Sequence, residues 1–208
     1  MEHAPRFQNE VSSRDTNRMR METRKRLFTA DEYLRMGEAG ILASDSRVEL
    51  IEGEIIEMSP IGNRHLACVA RANELFVAAF AGKAIVTCQS YVRLNHYSEP
   101  QPDLVLAKTR SDYYVRKRLS ADDTFLVVEV ADSSLAYDRK IKMPLYARSG
   151  VPEVWIEDLQ KNRLLVYRNP NGQTYATSLV LSPGNSVSLI AFPDTVFSVG
   201  DLLLSDYV

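Results

Sequence analysis

The stretch TFLVVEVADSSLAYDRKIKMPLYARSGVPEVWIED, residues 124–158, decides the fold class. TFLVVEVA is a nearly continuous apolar run, the character of a β-strand covered on both faces. SLAYDRKIKMPLYARSG then carries apolar residues at helical spacing and ends on a glycine, and EVWIED returns to strand character. A strand, a crossover helix and a second strand imply a right-handed unit in a partly parallel sheet. One residue does not fit a plain core: Glu129 sits inside the first strand. Alternation sends Phe125, Val127, Glu129 and Ala131 to one face and Leu126, Val128 and Val130 to the other. A carboxylate in such a layer protonates, finds a cation partner or binds a metal.

Working outward, DLVLA and AIVTCQSYVRL read as further strands upstream. HLACVARANELFVAAFAG reads as a packing helix, with an apolar stripe from Leu66 and Val69 through Leu75 and Phe76 to Phe80, stopped by Gly82. RVELIEGEIIEMSP is a tight hairpin around Glu52-Gly53, closed by Pro60. LFTADEYLRMGEAG is a short helix with capping-box spacing between Thr29 and Glu32 and with Gly40 at its end. Downstream, RLLVYRNPNGQTYATSLVL has the shape of a hairpin around Asn171-Gly172 and reads as a C-terminal antiparallel β extension. The class is α/β: a mixed sheet flanked by helices, with an N-terminal hairpin and the C-terminal extension.

A chain of 208 residues, 45% of them hydrophobic, buries one sizeable core. Residues 27–208 therefore read as a single domain. Residues 1–26 hold seven Lys/Arg and four Asp/Glu without apolar periodicity, the composition of a basic, disordered arm. Removing them from the totals of 25 and 27 leaves 18 basic and 23 acidic residues in the body. That body offers no broad cationic face to a polyanion, so handling nucleic acid requires a metal ion, a local basic cleft or the arm. No run approaches the roughly 18 apolar residues of a membrane span. Cys68 and Cys88 lack CxxC spacing, which points to the reducing cytoplasm, to thiols acting as small buried hydrophobes, and away from structural zinc.

A second carboxylate gives Glu129 a context. Asp103 opens its strand directly after Pro102, where an aspartate is ordinarily turn chemistry. Two carboxylates at the ends of neighbouring strands also suit Mg²⁺, which takes one or two protein carboxylates with waters and substrate phosphate. On the crossover helix, Leu135, Asp138, Lys142, Leu145, Tyr146 and Ser149 fall on one stripe, with Lys140 well away from it. Lys142 then points inward. Asp138 and Lys142 stand four apart, the spacing of an ordinary helical ion pair, and Pro144 removes one helical hydrogen bond beside them.

The order Pro102-Asp103, Glu129-Val130-Ala131 and DRKIKMPLYARSGVPEVWI resembles the Uma-type restriction endonucleases, abundant in cyanobacteria, within the PD-(D/E)XK nuclease superfamily. RVELIEGEIIEMSP and His65 are similar to that family's N-terminal part, and the likeness spans about residues 27–204. The resemblance implies a restriction-endonuclease-like core and a Mg²⁺-dependent DNA endonuclease, with Mn²⁺ as a substitute metal. By that analogy Asp103, Glu129 and the Val130 carbonyl hold the metal, with Glu49 as a further ligand or an exposed hairpin charge. Lys142 stands in for the superfamily's lysine, which is replaced here by Ala131. Asp138 would position Lys142, and Tyr146 would bond the substrate or close the pocket. His65 admits two readings, a capping or surface residue before the helix and a catalytic one. A homodimer follows from cutting both strands of a duplex. The competing expectation is a catalytically silent nuclease fold that binds nucleic acid or a partner, and a third is a purely structural ion-pair cluster.

Overall fold

The computed structural model describes residues 24–43 and 45–207. Most of the expected N-terminal arm, residues 1–23, lies outside the described residues. The last residues of that segment are described: Lys25 pairs with Glu54 at 2.9 Å and Arg26 with Glu32 at 2.6 Å.

A six-stranded mixed sheet forms the centre of the fold, with the order β3-β4-β5-β6-β7-β8. Its strands are β3 (Ala84–Cys88), β4 (Leu104–Lys108), β5 (Thr124–Ala131), β6 (Glu153–Asp158), β7 (Arg163–Asn171) and β8 (Thr174–Leu181). Only β5 and β6 run parallel, with Glu129 opposite Ile156 and Val130 opposite Glu157. The remaining neighbours are antiparallel. The extension expected after Arg163 is therefore divided: β7 and β8 widen the main sheet, while β9 (Ser186–Leu189) and β10 (Phe192–Ser198) form a separate two-stranded sheet.

Two apolar layers cover the sheet, as the alternation in β5 requires from Leu126 onward; Phe125, expected on the face of Val127, packs instead on the face of Leu126, where the β4–β5 register shifts by one residue. Leu126, Val128 and Val130 pack with Cys68, Val69, Ala72, Phe76 and Phe80 of α2 (Asn63–Phe80), and with Trp155, Phe197 and Leu202. Val127 and Ala131 pack on the other side with Tyr146, Val154, Ile156 and Leu165. Leu66, expected on the buried stripe of α2, is exposed, because the buried stripe begins at Cys68 and Val69. Cys88 is likewise exposed at the end of edge strand β3, whereas Cys68 is buried. The long strand expected over residues 84–94 stops at Cys88, since Gln89 takes φ 46°, outside strand geometry.

The N-terminal pieces follow the local rules. Thr29 and Glu32 form both bonds of the capping box on α1 (Ala30–Glu38). β1 (Val48–Ile51) and β2 (Glu54–Glu57) pair across Glu52-Gly53, with φ 51° and 82°, the two positive values of a type I′ turn. Gly53 cannot carry a side chain, because a Cβ there would stand 2.6 Å from Leu27 Cβ.

The crossover is not one regular α-helix. It consists of α3 (Leu135–Tyr137), a π-helical turn over Asp138–Lys142, and α4 (Met143–Arg148). Met143 N–H reaches back to the Asp138 carbonyl, and Pro144 follows with no N–H to donate. The wide turn still buries both Asp138 and Lys142 while leaving Arg139, Lys140 and Ile141 outside. Among the described residues, no helix is long and apolar enough to cross a membrane.

Candidate active site

Five elements converge where β4 begins and β5 ends. Glu129, on β5, is 4% exposed; its Oε1 accepts from Tyr146 Oη at 2.6 Å and from Lys142 Nζ at 3.1 Å. Lys142 Nζ also lies 3.1 Å from Oε2 of Glu49 on β1. The same Glu49 oxygen accepts the Gln101 N–H at 3.1 Å. Asp103 stands immediately before β4; its Oδ2 accepts the Val130 N–H at 2.8 Å and lies 3.1 Å from His65 Nε2. All of these residues except Tyr146 border a cavity of about 350 Å³, walled also by Asp132, Ser134, Tyr137 and Asp138.

Several expected roles fall differently in this geometry. Asp138 does not bond Lys142; its Oδ2 accepts the Ser134 hydroxyl at 2.6 Å, and the lysine's carboxylate partners come from β1 and β5. Glu49 is no exposed hairpin charge but is 1% exposed, because β1 bridges to the segment before β4, Leu50 to Glu99, and Gln101 bonds Glu49. Tyr146 is fully buried behind Glu129 and does not line the cavity, whereas Tyr137 does. His65 is inside the first turn of α2 rather than before it, half-buried and turned to Asp103. The missed contacts join residues far apart in sequence, such as Glu49 with Gln101 and His65 with Asp103. Two carboxylates at strand ends did mark the shared locus of Asp103 and Glu129, and no spacing tied Gln101 to Glu49 or His65 to Asp103.

Six acids, Glu49, Glu57, Asp103, Glu129, Asp132 and Asp138, line this cavity with Lys142 and Arg47, and of these Glu49, Asp103 and Asp138 act on Glu129. Burial drives the Glu129 carboxyl well above its ordinary range, opposed by Lys142 and reinforced by Asp138, Asp103 and Glu49. Burial likewise raises Asp138. For Lys142 burial opposes the charge, but Glu129, Glu49 and Asp138 outweigh it and hold the ammonium charged above its usual range. The two directions differ in what drives them, burial for the carboxyls and neighbouring acids for the lysine, and the acids add to both. The excess of acids keeps the lysine protonated and leaves surplus negative charge that discourages ionisation of Glu129.

That surplus is a test of whether a divalent cation fits. Among the described residues, no hydrogen bond reaches Asp103 Oδ1 or Glu129 Oε2, while their other oxygens are occupied. Among the same residues, no three acidic, histidine or cysteine side chains form a ready-made metal cage. Two carboxylates with one uncommitted oxygen each, beside an open cavity, suit Mg²⁺, which keeps several waters. Glu49, the further ligand of the sequence reading, also borders the cavity and meets Lys142 and the Gln101 N–H through Oε2 alone.

Residues 30–200 match the family described as "Uma2: Putative restriction endonuclease". The chain belongs to this family. A similar solved structure is a protein of Anabaena variabilis described as a putative nuclease belonging to DUF820, with 17% identity and a TM-score of 0.69. The match covers 85% of the present chain and 98% of that one, and it shows a common fold. No curated protein matches the chain. Within this Uma2 chain, the residue two beyond Glu129 is Ala131, fully buried among Val127, Tyr146 and Ile156. The basic group beside Glu129 comes instead from the crossover, as Lys142.

Proposed function

We propose that this Uma2 protein is a divalent-metal-dependent DNA endonuclease that hydrolyses phosphodiester bonds in the cavity between β1, β4, β5 and the crossover. The observation that carries the reading is Lys142: a charged ammonium brought from the crossover to Glu129, in the cavity that Asp103 also lines. Asp103 and Glu129 would hold Mg²⁺, or Mn²⁺ in its place, with the Val130 carbonyl as a further oxygen by analogy with the superfamily. The bound cation supplies Lewis acidity toward a phosphoryl oxygen and lowers the pKa of water.

The protein's own groups do the rest. An ammonium has three N–H donors. Two of the Lys142 donors meet Glu129 and Glu49, which leaves the third to orient a water or to meet charge developing on the phosphoryl group. Glu49, anchored by Gln101 N–H, holds Lys142 in place, and Tyr146 holds Glu129. Asp138, through Ser134, braces the π-helical turn that delivers the lysine. A homodimer would supply the second site needed to cut a duplex in one encounter. The exposed free Cys88 accords with a reducing compartment, the cytoplasm.

Supercoiled plasmid incubated with the protein should be cut in Mg²⁺ or Mn²⁺ and left whole in EDTA. The pairing of Lys142 with two carboxylates also favours a second reading, a silent nuclease fold that binds nucleic acid. Retention of DNA with no cleavage in either metal would select that reading. Sedimentation equilibrium giving only the 23.5 kDa species at micromolar concentration would remove the dimer.

A further inference from the structure

We propose that His65 is a positioning residue for Asp103, setting the direction in which that carboxylate faces a divalent cation. The inference rests on the metal-dependent reading above. Asp103 lies just outside β4, so its side chain is oriented by what bonds it. Both donors meet a single oxygen: Oδ2 takes the Val130 N–H at 2.8 Å and the His65 imidazole at 3.1 Å. One bond leaves a carboxylate free to swing about it. A second bond, from a different element, removes that freedom and turns Oδ1 toward the cavity.

The two donors come from opposite sides of the site. Val130 follows Glu129 on β5, so its N–H ties Asp103 to the strand that carries the other carboxylate. His65 rides on α2, an 18-residue helix anchored in the main core through Cys68, Val69, Phe76 and Phe80. A carboxylate oxygen only accepts, so His65 Nε2 carries the proton of this bond. The other ring nitrogen, Nδ1, is buried and has no hydrogen-bond partner among the described residues. Asp103 is thus the one polar side chain that the imidazole meets among the described residues. A histidine placed merely to fasten a helix gains from bonding at both nitrogens, and this one does not.

The test compares side chains that do and do not reach the Nε2 position. The terminal amide of H65Q extends to the depth of Nε2 and donates there, whereas that of H65N stops at the depth of Nδ1. H65A removes the donor outright. Calorimetric titration of each folded protein with Mn²⁺ should show H65A and H65N binding about 10–100-fold more weakly than wild type, the usual loss when a partner of a metal ligand is removed. H65Q should stay within a few-fold of wild type. Melting of the metal-free proteins is read alongside, since a purely structural bond shifts the midpoint and leaves the Mn²⁺ affinity alone. Wild-type affinity in H65N, or H65Q no better than H65N, would overturn the assignment. If H65A does not fold, the Gln and Asn variants still decide. Wild type that takes up no Mn²⁺ removes the metal-dependent reading and this inference together, whereas binding untouched by H65N removes the inference alone.

Discussion

Glu129 and Glu153 are both buried glutamates on adjoining strands of one sheet, and their surroundings differ in kind. Glu153, 1% exposed, spends both oxygens on fixed partners. Oε1 accepts from Trp155 Nε1 at 2.7 Å and Arg168 Nε at 2.8 Å, and Oε2 accepts the Ile190 N–H at 2.7 Å. It thereby ties β6, β7 and the loop after β9 together, away from the cavity of the candidate site. Glu129 spends one oxygen on Lys142 and Tyr146 and presents the other toward that cavity. Burial of a charge alone therefore does not mark a site. An incomplete set of partners beside open space does, because low dielectric makes an unfilled valence costly unless a ligand fills it.

The comparison breaks first at Glu153. Glu153→Ala leaves the Arg168 guanidinium and the Trp155 N–H without their acceptor, and breaking such a pair costs about 3–5 kcal/mol. Urea denaturation should show a loss of that order, while cleavage per folded molecule stays near wild type. A normal midpoint would mean that Glu153 is no brace. Lys142→Ala reverses the pattern. Loss of one electrostatic contact to a transition state costs about 2.7–4 kcal/mol, a hundredfold or more in plasmid cleavage rate, and Lys140→Ala on the exposed side should keep most activity. Circular dichroism must show both folded, and a folded Lys142→Ala enzyme cutting at the wild-type rate would refute the role of the lysine.

Metal sharpens the contrast further. A ligand that binds only the folded state at about a hundred times its Kd stabilises by about 2.7 kcal/mol, so saturating Mn²⁺ should raise the wild-type melting temperature. Asp103→Asn should abolish that rise, and an undiminished shift in the mutant would put the cation elsewhere.

What the sequence made legible here is mostly local. Thr29 with Glu32, Glu52-Gly53 and the apolar run of β5 each carry their structure within a few residues, because capping, turn sterics and strand period act at short range. The stripe of Asp138, Lys142, Leu145 and Tyr146 was legible for the same reason, although the π-helical turn within it was not. The depth of Glu49 was hidden, since alternation along β1 gives its face but not what lies over that face. The answering group is Gln101, 52 residues away. His65 was hidden likewise, its partner lying 38 residues on. Spacing named the residues that could meet, and only tertiary packing decided which of them did: Asp138 and Lys142, correctly spaced for a helical pair, both turned to other partners.

A third buried glutamate gives the smallest effect and the clearest sign. Glu157, beside Val130 in the parallel ladder, is fully buried, and among the described residues neither of its oxygens has a partner. Burial, with Asp103 adding to it, drives its carboxyl well above the ordinary range, so it is neutral in the folded protein where the unfolded chain has already ionised. The penalty therefore has a definite pH window. Below the ordinary glutamate range both states are protonated and the residue costs nothing through ionisation. As pH rises past that range the unfolded state gives up its proton and the folded state does not, so stability falls until the raised folded pKa is reached. Glu157→Gln should flatten that decline relative to wild type between mildly acidic and neutral pH. Glu157→Leu, which also removes the unpartnered oxygens, should gain about 1–3 kcal/mol near neutrality. Cys68, whose thiol burial lifts to about 12, stays protonated throughout and adds no slope. Parallel pH–stability curves for wild type and Glu157→Gln would show that a group outside the described contacts satisfies Glu157, and would move it from an orphan to a second partnered acid like Glu153.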